Sequence, residues 1–139
     1  MKKTVKKISC AALCAVMLFC MAVPAFALTG YENYSFIHYG YGVRVTCESK
    51  LTLLKGRSKL DLSFESGVNH LPVNDYSSIA KVTLKFTDGT SSSNTDQNTG
   101  LTATAERDIA LNKDVKKSTH EYFVFAEDLN HRVHIKEFE

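Results

Sequence analysis

The chain has 139 residues, 44% of them apolar and 23% charged, with a formal charge of +2. Four of its 17 basic residues lie in an N-terminal leader. Without that leader 13 basic residues face 15 acidic ones, and the longest basic run is the pair Lys116-Lys117, so the chain lacks the electrostatic footprint of a nucleic-acid binder.

The leader begins with Lys2, Lys3, Lys6 and Lys7, continues as an apolar stretch from Ile8 to Val23, and ends in Pro24-Ala25-Phe26-Ala27. A basic start, a short apolar block and a small-x-small site are the pattern of a secretory signal peptide. Cleavage is expected after Ala27. The stretch is shorter than the roughly 20 apolar residues of a membrane span, and no basic stop-transfer cluster follows, the next Lys or Arg being Arg44. Leu13 and Phe19 before Cys14 and Cys20 are not the small residues a lipidation site needs. Residues 1–27 are thus expected to be a signal peptide and residues 28–139 a single secreted domain with no transmembrane segment after cleavage. Cys47 is then the one remaining cysteine, and the fold must rest on packing.

From Ile37 to Leu53 the apolar residues fall on odd positions, namely Ile37, Tyr39, Tyr41, Val43, Val45, Cys47, Leu51 and Leu53. This is the alternation of half-buried strands, with Cys47 as an inert core thiol. The apolar parity becomes even at Leu60, Leu62 and Phe64. Gly56-Arg57 is expected to form the hairpin turn between the two runs, placing Leu53 against Leu60 and Leu51 against Leu62. Residues Ser66 to Ser78 read as a connection, and Val82, Leu84 and Phe86 mark a further strand.

The stretch from Asp88 to Gly100 is almost entirely polar and is expected to be a mobile loop or a hairpin with a frayed tip. Leu101 to Leu111 fits a strand, with Leu101, Ala103, Ala105, Ile109 and Leu111 on one face, or a helix through the spacing of Leu101, Ala105 and Ile109; Thr102 and Thr104 favour the strand. Two last strands, Thr119 to Phe125 and Arg132 to Phe138, are expected to join through Asp128-Leu129-Asn130, with Phe125 against Val133 and Phe123 against Ile135. Six to eight short strands of this kind predict an all-β, antiparallel two-sheet sandwich.

A Lys-rich leader followed by about 110 residues with Leu60-x-Leu62-x-Phe64, Val82-x-Leu84-x-Phe86 and a Ser/Thr/Asn-rich stretch after Asp88 resembles a loose group of small proteins secreted by Gram-positive anaerobes. The resemblance implies an immunoglobulin-like β-sandwich. It assigns no activity and no functional residue.

Chemical motifs are sparse. His131 and His134, three apart on a strand, point to opposite faces, and His120 and His134, which could approach each other on neighbouring strands, are expected to be polar residues at the surface. Asn94 to Gly100 alternates oxygen ligands, but a calcium loop would need Gly where Thr99 stands and Glu where Ala105 stands. No metal site, cofactor or catalytic residue is expected. What remains is Tyr34, Phe36 and His38, which would project opposite the core face of their strand and, beside Gly40 and Gly42, form a shelf for stacking on a flat ligand. The expected function is a non-catalytic extracellular binding or cell-surface module, its partner a cell-wall glycan or another protein. A small antimicrobial or toxin-like effector is the alternative, and a hydrolase a more distant one.

Overall fold

The computed structural model describes residues 27–65, 76–127 and 129–139. They form eight strands: β1 (Ala27–His38), β2 (Tyr41–Thr52), β3 (Lys55–Phe64), β4 (Ser77–Phe86), β5 (Ser91–Thr99), β6 (Thr102–Asp108), β7 (Val115–Ala126) and β8 (Leu129–Phe138). All pairings are antiparallel, in two four-stranded sheets ordered β1-β2-β3-β6 and β5-β4-β7-β8. No helix occurs among the described residues, hence none long and apolar enough to cross a membrane.

Period-two patterning sets the core. Val43, Val45, Cys47 and Leu51 of β2 are buried, as are Leu60 and Leu62 of β3 and Ala80, Val82, Leu84 and Phe86 of β4. Ala103 and Ala105 of β6 and Tyr122 and Val124 of β7 complete the layer between the sheets. Each buried Val or Leu contributes on the order of 1.5–3 kcal/mol, which makes this layer the main source of stability.

Several sequence expectations change. Ile37 and Tyr39 do not join the core, being 80% and 64% exposed. Tyr39 and Gly40 both have positive φ, 49° and 79°, and form a two-residue hairpin turn of the kind whose twist suits antiparallel strands. The turn sets His38 opposite Tyr41 and Phe36 opposite Val43. The inward parity is therefore even in β1 and odd in β2.

Gly56-Arg57 is not the next turn. Leu53 and Leu54 are, with the Thr52 hydroxyl accepting from Lys55 N at 3.0 Å. Leu51 then faces Gly56, Cys47 faces Leu60 and Val45 faces Leu62. Gly56 serves close packing instead: a Cβ there would lie 2.9 Å from Leu84 Cδ2 and 3.0 Å from Val82 Cγ2. Of the expected connection, residues 66–75 lie outside the described residues, while Ser77 and Ser78 open β4.

The polar stretch after Asp88 is mostly strand β5, in a hairpin with β4. Its inward side chains bridge to the edge of β6 in the other sheet. Asn94 Nδ2 donates to Glu106 O at 2.9 Å, Asp96 Oδ2 accepts from Thr104 N at 2.7 Å, and Asn98 Nδ2 donates to Thr102 O at 3.1 Å. Arg107 Nε donates to Ser92 Oγ at 2.5 Å. Side chains two apart here do for β6 what a neighbouring backbone would do, and close one side of the sandwich. Residues 102–108 are a strand, as Thr102 and Thr104 suggest, although Leu111 lies beyond it, 93% exposed.

In the last hairpin Phe125 pairs with Asn130 and Phe123 with Arg132, and a bulge then sets Tyr122 opposite His134. The expected register is thus displaced. Phe123 and Phe125 fall on the outer face, stacked on each other with centroids 6.3 Å apart, while Tyr122 and Val124 take the core.

Candidate functional site

The residues expected to form an exposed shelf lie on the inward side of β1. Tyr34 and Phe36 pack against the core, and His38 is half-buried beside them. The Tyr34 hydroxyl bonds His134 Nδ1 on β8 at 2.5 Å, and His38 Nδ1 bonds the Tyr76 hydroxyl at 2.7 Å. In each pair the histidine Nε2 is buried and has no hydrogen-bond partner among the described residues. Desolvation pushes the His134 pKa down, opposed by the Glu32 charge and reinforced by Lys136. For Tyr34, desolvation and then the Glu32 charge push it up. Both groups are therefore neutral near pH 7. Gly30 leaves room for Lys136, whose Cε would lie 3.2 Å from a Cβ at that position. Tyr34, Phe36 and His38 thus lie on the inward side of β1, not on its exposed face, and Tyr34 and His38 tie the strand to His134 and Tyr76.

The exposed face of β1 is the other one. Tyr31 is 63% exposed and Ile37 80%, with exposed Asn33 and Ser35 between them. Beside them on β2 the outward residues are Arg44, Thr46 and Glu48, and the Thr46 hydroxyl donates to Asn33 Oδ1 at 2.9 Å. Sequence reasoning placed Ile37 in the core because it extended the β2 parity through the turn. The signal that could have reversed it is Gly40 between two aromatic-rich runs, since a two-residue turn exchanges the inward parity.

A second group of polar residues lies wholly inside. Ser58 Oγ donates to Lys81 O at 2.9 Å and sits 2.8 Å from His120 Nδ1, and His120 Nε2 lies 3.1 Å from Ser118 Oγ. The Ser58 proton is used on the carbonyl, so Ser58 accepts from Nδ1–H and Ser118 donates to Nε2, which suits a neutral imidazole. Burial lowers the His120 pKa to about 4, against a hydrogen bond to the Arg57 backbone. Next to it the Tyr122 hydroxyl donates to Glu48 O at 2.7 Å and meets Ser49 Oγ at 2.7 Å. Ser58, Ser118 and His120 are fully buried, and the Ser58 proton is committed to a backbone carbonyl, so the Ser–His contact is a structural tie between the sheets. His120 is therefore a core residue, not the surface one expected from the sequence.

Cys47 is buried, as its parity indicated, and its pKa is pushed up to about 12 by burial and then by Glu32. A protonated thiol inside a core is a poor nucleophile. Of the oxygen ligands in residues 94–98, Asp96 Oδ2 accepts from Thr104 N of β6 and Asn94 Oδ1 from Thr95 N, while Asn94 and Asn98 donate their amide nitrogens to β6 carbonyls. Among the described residues, no three His, Cys, Asp or Glu side chains stand close enough to hold a metal ion. No family model, curated protein or solved structure matches the chain.

Proposed function

We propose that the chain is exported and that its mature product is a non-catalytic, immunoglobulin-like binding module that meets its partner through the outward face of β1. The observation that carries this reading is the row Tyr31, Asn33, Ser35 and Ile37, in which two large apolar side chains stand in solvent on an edge strand. Exposed Tyr beside adaptable small polar residues supplies contact area at low entropic cost.

Two further features support the reading. With β1 set aside, β2-β3-β6 and β8-β7-β4-β5 follow the A-B-E and G-F-C-C′ orders of immunoglobulin domains, so β1 is an added strand outside that framework. Cleavage after Ala27, where the leader is expected to be cut, would also leave Leu28 through His38 of β1 paired with β2. The intact mass of the secreted product should correspond to Leu28 through Glu139.

Binding is tested by co-sedimentation of the secreted product with cell walls and surface proteins of the producing cell. Wild type should pellet, and Tyr31→Ser/Ile37→Ser should stay in the supernatant with an unchanged circular dichroism spectrum. Pelleting unaffected by the double substitution would remove β1 as the contact surface.

A further inference from the structure

Natural sheets protect their edge strands against pairing with other chains by shortness, by Lys or Pro, by bulges, or by covering the edge. Three described edges of this sandwich show such devices. β6 has seven residues, ends in Glu106-Arg107-Asp108, and is covered by the side chains of β5. β5 in turn is tied down by the same bonds. β8 carries Lys136 and Glu137 and is bent by the bulge opposite Tyr122 and Phe123. β1 differs from all three. It runs for 12 residues in unbroken register with β2, contains no Pro, Lys or Arg, and has Glu32 as its one charge. Among the described residues it has a strand neighbour on one side only.

Resting on the reading that β1 is the contact surface, we propose that its partner is a second copy of this chain, added antiparallel at the free edge of β1 to make one continuous eight-stranded sheet. A two-fold axis normal to the sheet pairs outward residues with outward residues, and β1 is self-complementary about Tyr34. In that register Tyr31 of each copy lies opposite Ile37 of the other, an aromatic–β-branched pair formed twice, and Asn33 lies opposite Ser35. Glu32 falls opposite Phe36, which keeps the two carboxylates apart. A register centred on Glu32 would oppose the carboxylates directly, and one centred on Asn33 would leave Tyr31 against Ser35. The extended ladder would satisfy backbone groups that β1 now offers to water.

Sedimentation equilibrium of the secreted product tests the proposal. Wild type should show a concentration-dependent dimer. Tyr31→Lys/Ile37→Lys puts like charges directly opposite twice and should sediment as a monomer, whereas Tyr31→Lys/Ile37→Glu puts opposite charges there and should restore the dimer. Circular dichroism reports whether each variant is folded, and Leu111→Lys, at a still more exposed site away from β1, should leave the dimer intact. A wild-type monomer at every concentration, or identical behaviour of the two double variants, would overturn the proposal. If wild type is monomeric and cell-wall pelleting still depends on Tyr31 and Ile37, self-pairing fails while β1 stands as a binding surface; if pelleting is independent of them too, both readings fail.

Discussion

The two sides of the sandwich solve the same problem in opposite ways. Along β5 and β6 the sheets are joined by short polar side chains, with Asn94, Asp96 and Asn98 bonded to the backbone of β6. Along β1 and β8 the contact is made by the rings of Tyr34 and His134 and by the Lys136 side chain over Gly30. The first side spends its hydrogen-bonding groups inside the chain. The second satisfies its inward face and leaves the backbone edge and outward side chains of β1 to solvent. A side-chain ladder blocks strand addition because it occupies the edge itself, whereas ring packing beneath a strand does not.

If this contrast is right, both sides lean on the same polar tie in the middle, and breaking it should cost most. The His120 pKa is about 4 in the folded chain against an ordinary 6.5. Below pH 6.5 the unfolded chain takes up a proton that the folded chain refuses, so stability is complete above that pH and falls as pH drops toward 4. The loss reaches roughly 3 kcal/mol by pH 4. Thermal melts between pH 7 and pH 4 measure it. His120→Gln should be less stable at pH 7 and show a shallower acid slope; His134, whose pKa is also lowered by burial, supplies part of what slope is left. An equal slope in both proteins would mean that His120 does not report burial.

The closed side is next. Asp96→Ala leaves Thr104 N without its acceptor in a partly buried place and should cost about 1–2 kcal/mol in a denaturant titration. Asp96→Asn, which keeps an oxygen there, should cost less. If both were neutral, the bonds from β5 would be decoration and β6 an open edge like β1.

Removing one hydroxyl probes the ring-packed side. Tyr34→Phe deletes the bond to His134 but keeps the ring, for a loss of about 1 kcal/mol. A loss near 3 kcal/mol would mean that β1 detaches as a unit when that bond is broken.

Smallest of all should be changes on the outward face. Ile37→Ser, measured at dilution where copies are separated, is expected to alter stability by under about 0.5 kcal/mol, because Ile37 is exposed. A larger loss would place Ile37 in an intrachain contact and weaken the case for β1 as a docking edge.

How far the sequence carries can be judged strand by strand. Val43, Val45 and Cys47, then Leu60 and Leu62, then Val82, Leu84 and Phe86 all face the core as their alternation indicates. Alternation is a local property, and in these central strands one parity is strongly apolar. Elsewhere both parities carry rings. Tyr34 and Phe36 alternate with Ile37 and Tyr39, and Tyr122 and Val124 with Phe123 and Phe125. There a turn or a bulge chooses the face, and a one-residue change reverses every side chain.

The chain's own residues therefore determine that it is an all-β protein with period-two strands, a buried thiol at Cys47, and a core centred on β2, β3 and β4. The tertiary structure decided the rest. It set Gly56 under Leu84 and Val82 instead of in a turn. It turned the outward face of β1 into the exposed one, and it made a strand of residues 91–99. That last segment has no apolar anchor, so nothing in its side chains announces a strand. It is held by its backbone ladder to β4 and by side-chain bonds to a strand in the other sheet. Such bonds exist only once distant parts of the chain have met, because their partners are backbone groups that every residue type offers and no sequence pattern marks.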